Sequence, residues 1–236
     1  MNSLSLGAIA FLIIVYLSAE GADPKNYLNM HSFVIVILGT IAIFVTSNTK
    51  PIMWAVYHAA ALMFKKRPDL SSVKDELMQL SQDRTRAIKT TDPLIQYAIS
   101  LWEKGLDANT FQALISQYRD KLEHNDVEAI TALQNLAKYP PALGMLGTVM
   151  GMINLFASLS SSDKSGLGPA LAVAMTATFY GLLLSNGILM PLADRIFVEA
   201  THRKKYYGLV YEMITMINRR EPTSMVEEEF KLREAA

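Results

Sequence analysis

Cysteine does not occur among the 236 residues, so neither a disulfide framework nor a thiolate metal site can form. The four histidines, His31, His58, His124 and His202, are too scattered to make a local ligand pair. No phosphate-binding loop or dinucleotide motif occurs. The glycines between Gly144 and Gly151 lack a following Lys-Ser/Thr and a preceding strand. A metal centre, a cofactor or an enzymatic site is therefore not expected. Net charge is zero, which gives no electrostatic reason to expect nucleic acid or an acidic partner. Above all, charge of either sign is missing over several long stretches.

Those stretches are apolar, and they fit a chain that is 51% hydrophobic with 13 methionines. Met1–Ala19 is uncharged and reads as a first transmembrane helix; a signal peptide would need a basic segment before Leu4. Glu20–Lys25 reads as a short exterior turn. Asn26–Thr49 is a second span, with Lys50-Pro51 marking its exit. Ile52–Phe64 is too short to cross and is expected to run along the interface, where Trp54, Tyr57 and His58 suit the depth. Pro140–Ser162 and Gly166–Asp194 supply the third and fourth spans, each long enough for a hydrocarbon core of ~30 Å. A Ser/Asp/Lys turn, Ser160–Ser165, separates them.

Between Lys65 and Lys138 acids and bases are roughly balanced, as on solvated helices. Asp69 and Ser72 are placed to cap a helix from about Val73, with Asp75 set for a capping box. Leu94–Lys104 reads as a second helix stopped by Gly105. Asp107 or Asn109 starts a third, through Leu122, and Asn125 or Asp126 a fourth, to Lys138. After Pro191 a helical pattern continues until Glu221-Pro222, and the remaining residues read as a short or frayed helix. Only Lys25 and Lys164 lie in the short exterior turns; the other twenty Lys and Arg are in the large loop, at its edges or in the tail. By the positive-inside rule the loop and both termini are cytoplasmic. The predicted architecture is an all-α polytopic membrane protein with four transmembrane helices and a helical cytoplasmic domain. Its parts are residues 1–49, spans one and two; 50–138, the interfacial helix and cytoplasmic domain; 139–197, spans three and four; and 198–236, the cytoplasmic tail.

Spans three and four carry small and hydroxyl residues at helical spacing. Gly144, Gly147, Thr148 and Gly151 share one face; Ala174, Thr178, Gly181 and Ser185 share another. No Asp, Glu, Lys or Arg lies in the apolar interior of any span. Ion passage through hydrocarbon ordinarily relies on such a group. Either the chain moves no ions, or a partner brings the carboxylate. Small residues at i, i+4 let another helix approach closely. They serve equally to pack the protein's own spans together, and both readings stay open from spacing alone.

The third and fourth spans closely resemble the MotA/PomA family, the larger subunit of bacterial flagellar stators, which groups with TolQ and ExbB. The residues that carry the resemblance are Pro141-Ala142-Leu143-Gly144-Met145-Leu146-Gly147-Thr148 and Gly151, then Gly168-Pro169-Ala170, Ala172-Val173-Ala174, Thr178-Phe179-Tyr180-Gly181, Ser185-Asn186 and Pro191-Leu192-Ala193-Asp194. Two spans, a large loop and two more spans agree with that branch better than with three-span TolQ-like chains. The resemblance implies a homo-pentamer around two copies of a MotB/PomB-like single-span partner, whose intramembrane Asp binds permeant Na+ or H+. It implies an ion pathway along Thr148, Thr178, Ala177 and Gly151, and partner-helix contacts at Gly144, Gly147, Ala174, Tyr180 and Gly181. Pro141 and Pro191 become hinge prolines, and Arg84, Arg86 and Lys89 a face toward the flagellar rotor protein FliG. The setting is the bacterial inner membrane.

Three features depart from the family pattern. Asn29 stands where an acidic residue is common, a loop segment between Arg86 and Leu94 is missing, and Arg219-Arg220-Glu221-Pro222 replaces a Gly-x-Asn-Pro turn. The shortened loop makes a non-flagellar load (gliding, envelope or defence) the alternative, and a scaffold without ion flux is the other competitor.

Overall fold

The computed structural model describes residues 27–63, 70–83, 90–159 and 166–234. The expected first span, both exterior turns and the basic residues Arg84, Arg86 and Lys89 lie outside the described residues. The described chain is helical throughout, without strands, as an all-α polytopic membrane protein requires. Three of its stretches contain windows long and apolar enough to cross a membrane: Met30–Ser47, Ala108–Leu159 and Leu167–Asn218.

Helix α1 (Met30–Ser47) starts at Asn29, whose side chain accepts the Ser32 N–H at 3.1 Å. An N-cap of this kind satisfies one of the orphan donors of a first turn. The helix widens to a π-helical segment at Val34–Leu38 and closes when Asn48 turns extended, its Nδ2 donating to the Phe44 carbonyl at 2.9 Å. Helix α2 (Lys50–Leu62) follows, with Trp54 and Tyr57 exposed and their rings 5.5 Å apart. Helix α3 (Leu70–Gln82) begins about three residues before the expected start, and Ser72 lies inside it instead of capping it.

Helix α4 (Pro93–Glu103) is capped by Asp92, which accepts the N–H groups of Leu94 and Ile95 at 2.8 and 2.9 Å. Pro93 costs nothing there, because the first N–H of a helix has no internal partner. Gly105 ends the connection with φ +64°, a conformation glycine adopts without steric penalty. Helix α5 (Ala108–Leu136) is continuous where two helices meeting at Leu122–Asn125 were expected. Asp126 caps nothing, because both its carboxylate oxygens are taken by Arg203 at 2.9 and 2.8 Å. Helix α6 (Tyr139–Leu159) and helix α7 (Leu167–Leu184) pack extensively against each other. A π-helical turn, Ser185–Leu189, leads from α7 into helix α8 (Met190–Asn218), and helix α9 (Thr223–Glu234) ends the described chain. The π turn precedes Pro191, whose ring would crowd the carbonyl four residues back in a regular helix.

The chain divides into two compact units. One comprises the residues up to Ala60 with Glu128–Phe197, the other Ala61–Val127 with Val198 onward. The first holds the apolar windows, and large side chains such as Phe33, Ile41, Met145, Ile153 and Phe156 remain exposed on it. Such exposure suits hydrocarbon or protein neighbours, not water. The second unit has a conventional core of Leu77, Leu80, Leu94, Ile95, Phe111, Ile115, Met213, Ile214 and Ile217. Val226 and Phe230 of α9 are also buried in it, so the tail is a packed helix and not a frayed end.

Candidate functional site

The small-residue stripes of α6 and α7 meet each other. A Cβ on Gly144 would lie 2.9 Å from the Ala177 carbonyl oxygen and one on Gly147 2.4 Å from Ala177 Cβ. On Gly151 it would lie 2.7 Å from Ala174 Cβ, and on Gly181 2.4 Å from the Pro140 carbonyl oxygen. Helix backbones approach this closely only across glycine and alanine. Of the two uses left open by the spacing, Gly144, Gly147, Gly151, Ala174, Ala177 and Gly181 serve the packing of the chain's own helices. All six are buried within the chain.

The same close approach brings two threonines together. Thr148 Oγ1 and Thr178 Oγ1 are 2.6 Å apart, and either can donate to the other. Thr148 Oγ1 also lies 3.1 Å from the carbonyls of Gly144 and Ala174, and Thr178 Oγ1 3.4 Å from that of Gly144. Four oxygens thus surround one point, with only two hydroxyl protons to share among them. Both threonines are part-exposed, unlike the glycines beside them. The cluster has no titratable group on which a proton could reside. Its hydroxyls can reverse donor and acceptor sense, however, and so adjust to a charge placed next to them.

A second polar cluster, of which the sequence-based site includes only Tyr180, joins α1 to α7. The fully buried Ser32 donates to the Val173 carbonyl at 3.0 Å, and its Oγ is 2.7 Å from Thr176 Oγ1. Tyr180 donates its phenol to the Tyr27 carbonyl and accepts the Asn29 N–H at 3.2 Å. Tyr180 is therefore tied to its own chain, and Asn29 works as a helix cap. The signal was present as hydroxyls in otherwise apolar runs, but their pairing across some 140 residues is invisible locally. Pro141 is half-buried at the start of α6 and Pro191 exposed at the start of α8.

In the other unit, Arg203 of α8 makes its two-pronged ion pair with Asp126 of α5. Arg119 stacks over Tyr211 at 4.5 Å, and Tyr206 donates to Asp92 at 2.6 Å. Burial, with Asp92 nearby, pushes the Tyr206 phenol far above its ordinary value. Among the described residues no group of three or more His, Asp or Glu is placed to hold a metal ion.

Known proteins give this geometry its context. The model of the MotA/TolQ/ExbB proton channel family matches residues 86–207, just over half the chain. Motility protein A of Aquifex aeolicus is 27% identical over 232 residues, spanning 93% of this chain and 91% of that one. The chemotaxis protein PomA of Vibrio alginolyticus is 25% identical over 199 residues, 81% of this chain and 77% of its own. Among solved structures, a chain of C. jejuni MotAB superposes with TM-score 0.83 over 99% of this chain and 96% of its own, at 18% identity. A chain of the flagellar MotAB stator complex from Bacillus subtilis gives 0.76 at 20% identity, over 94% and 92%. These two likenesses show a common fold. With its paired α6 and α7 helices inside the matched region, the chain belongs to the MotA/TolQ/ExbB proton channel family.

Proposed function

We propose that the chain is the larger subunit of an ion-driven stator unit, converting cation flow into torque on the flagellar rotor. The observation that carries this reading is the Thr148–Thr178 hydroxyl pair, the adaptable oxygen cluster of spans whose apolar interiors contain no carboxylate. Ionisable groups are costly in hydrocarbon and mark ion paths where they occur. A single-span partner of the MotB/PomB kind would supply one intramembrane Asp. The names Motility protein A and PomA, and the MotAB complexes formed by the structural neighbours, support that assembly.

In this reading five copies of the chain surround two of the partner. The permeant ion is Na+ or H+, and the chain has no cofactor and catalyses no covalent chemistry. Thr148 and Thr178 line the ion pathway, with Gly151 and Ala177 setting the helix spacing that holds them together. Pro141 and Pro191 permit α6 and α8 to move. The unit sits in the bacterial inner membrane with both termini cytoplasmic, and Arg84, Arg86 and Lys89 face FliG.

Deletion and complementation in the native host test this. Loss of the gene should abolish swimming while leaving flagellar filaments in place, and the wild-type gene should restore it. Thr178→Ala should restore assembly but alter the dependence of swimming speed on sodium concentration or proton-motive force. Normal swimming after deletion would end the flagellar reading. Unaltered ion dependence in the Thr178→Ala strain would remove the threonine pair from the ion path.

A further inference from the structure

Pro140 and Pro141 stand at the start of α6, and neither has an N–H to give. In a continuous helix the N–H of residue 141 would bond the Ala137 carbonyl. Pro141 deletes that donor and leaves the carbonyl without its helical partner, on a residue only 3% exposed. A buried backbone acceptor left without a bond is costly. The structure supplies a substitute: the Ser185 hydroxyl, on a residue only 4% exposed, donates to the Ala137 carbonyl at 2.6 Å. Gly181, one turn earlier on the same helix face, lets α7 come against the Pro140 backbone. Gly181 and Ser185 thus grip one joint, and Ser185 is also the first residue of the π-helical turn.

We infer that Ser185 is the positioning residue of the proline joint, its hydroxyl standing in for the N–H that Pro141 lacks. A backbone N–H would fix one tilt of α6. A hydroxyl on a neighbouring helix can rotate and keep the carbonyl bonded over a range of tilts, so the joint bends without exposing a bare acceptor. Ser185 acts through Pro141 and the Ala137 carbonyl, not on the ion. This inference rests on the stator reading for its functional consequence, but the hydrogen-bond substitution itself does not.

The test uses the complete complex in its native host and after purification. Ser185→Ala should keep membrane abundance near wild type while lowering ion-driven rotation speed about tenfold, because the cost of a buried unpaired acceptor then falls on the bending of the joint. Ser185→Thr, which keeps a hydroxyl, should recover speed, and Ser185→Cys, similar in size but a weak donor, should not. In purified complexes, Ser185→Ala should lower the thermal midpoint when residue 141 is Pro. In a Pro141→Ala background, where residue 141 has its own N–H, it should leave the midpoint unchanged. Wild-type speed in Ser185→Ala, recovery by Cys equal to that by Thr, or loss of speed matched by loss of protein would overturn the inference. So would equal midpoint drops in the two backgrounds. A wild-type complex that drives no ion-dependent rotation would sink the stator reading alone, because the midpoint comparison still reports on the joint.

Discussion

At Gly181 the α7 backbone passes so near Pro140 that a methyl group would have to enter a space already held by a carbonyl oxygen, 2.4 Å away. Backbone cannot swing aside as a side chain can, so Gly181→Ala should destabilise the helix pair by about 1–3 kcal/mol. Gly168, by contrast, has nothing within 4 Å of where its Cβ would stand, and Gly168→Ala should leave thermal unfolding in detergent unchanged. Equal behaviour of the two variants would contradict the close approach. In the other unit, burial pushes the Tyr207 phenol from 10.0 up to about 12, with Asp92 adding to the effect. Below pH 10 both folded and unfolded chains keep the proton. Between about pH 10 and 12 the unfolded chain releases it and the folded one does not, so stability is lost as pH rises. Circular dichroism on thermal unfolding should show that loss, and Tyr207→Phe should flatten it. A slope unaltered by the substitution would assign the loss to other groups.

Helices were more legible than their ends or their company. The Leu94–Lys104 pattern and its Gly105 stop appear in the structure as α4, with Gly105 at positive φ. Thr-Asp-Pro before Leu94 held an unread cap, Asp92, recognisable from an acid followed by proline at the first helical position. The break expected near Asn125 does not exist. Of the two residues that suggest it, Asn125 and Asp126, the second is committed to Arg203, 77 positions away, and such tertiary pairing overrides a local cap preference. The two π-helical turns were unreadable because a 3.6-residue period does not announce a single widened turn. The glycine stripes were visible as stripes, but spacing cannot say whether the facing helix belongs to the same chain. Of the two alternatives for the tail, the short helix is the one that forms, and Val226 and Phe230 of α9 are buried with the second unit's core. Phe230→Ala should therefore cost about 3–5 kcal/mol, seen as a lowered urea midpoint for the second unit. An unchanged midpoint would mean that α9 only decorates it.

For the whole molecule, the deciding fact is what its membrane helices do not contain. The spans supply hydroxyls, carbonyls and tightly apposed backbones, but no carboxylate, lysine or arginine in their apolar interiors. Within the MotA/TolQ/ExbB family, that composition suits a wall against which another chain's charge moves. The Thr148–Thr178 pair and the Ser185 joint lie along the same α6–α7 contact, so an ion event and a helix movement can share one interface. In the proposed function the missing carboxylate comes from a second protein. The most direct measurement is the mass and composition of the complex extracted from the native host in mild detergent, by native mass spectrometry. The expected result is five copies of this chain with two of a single-span protein bearing one intramembrane Asp. A complex whose partners contain no intramembrane carboxylate, or this chain alone, would contradict it.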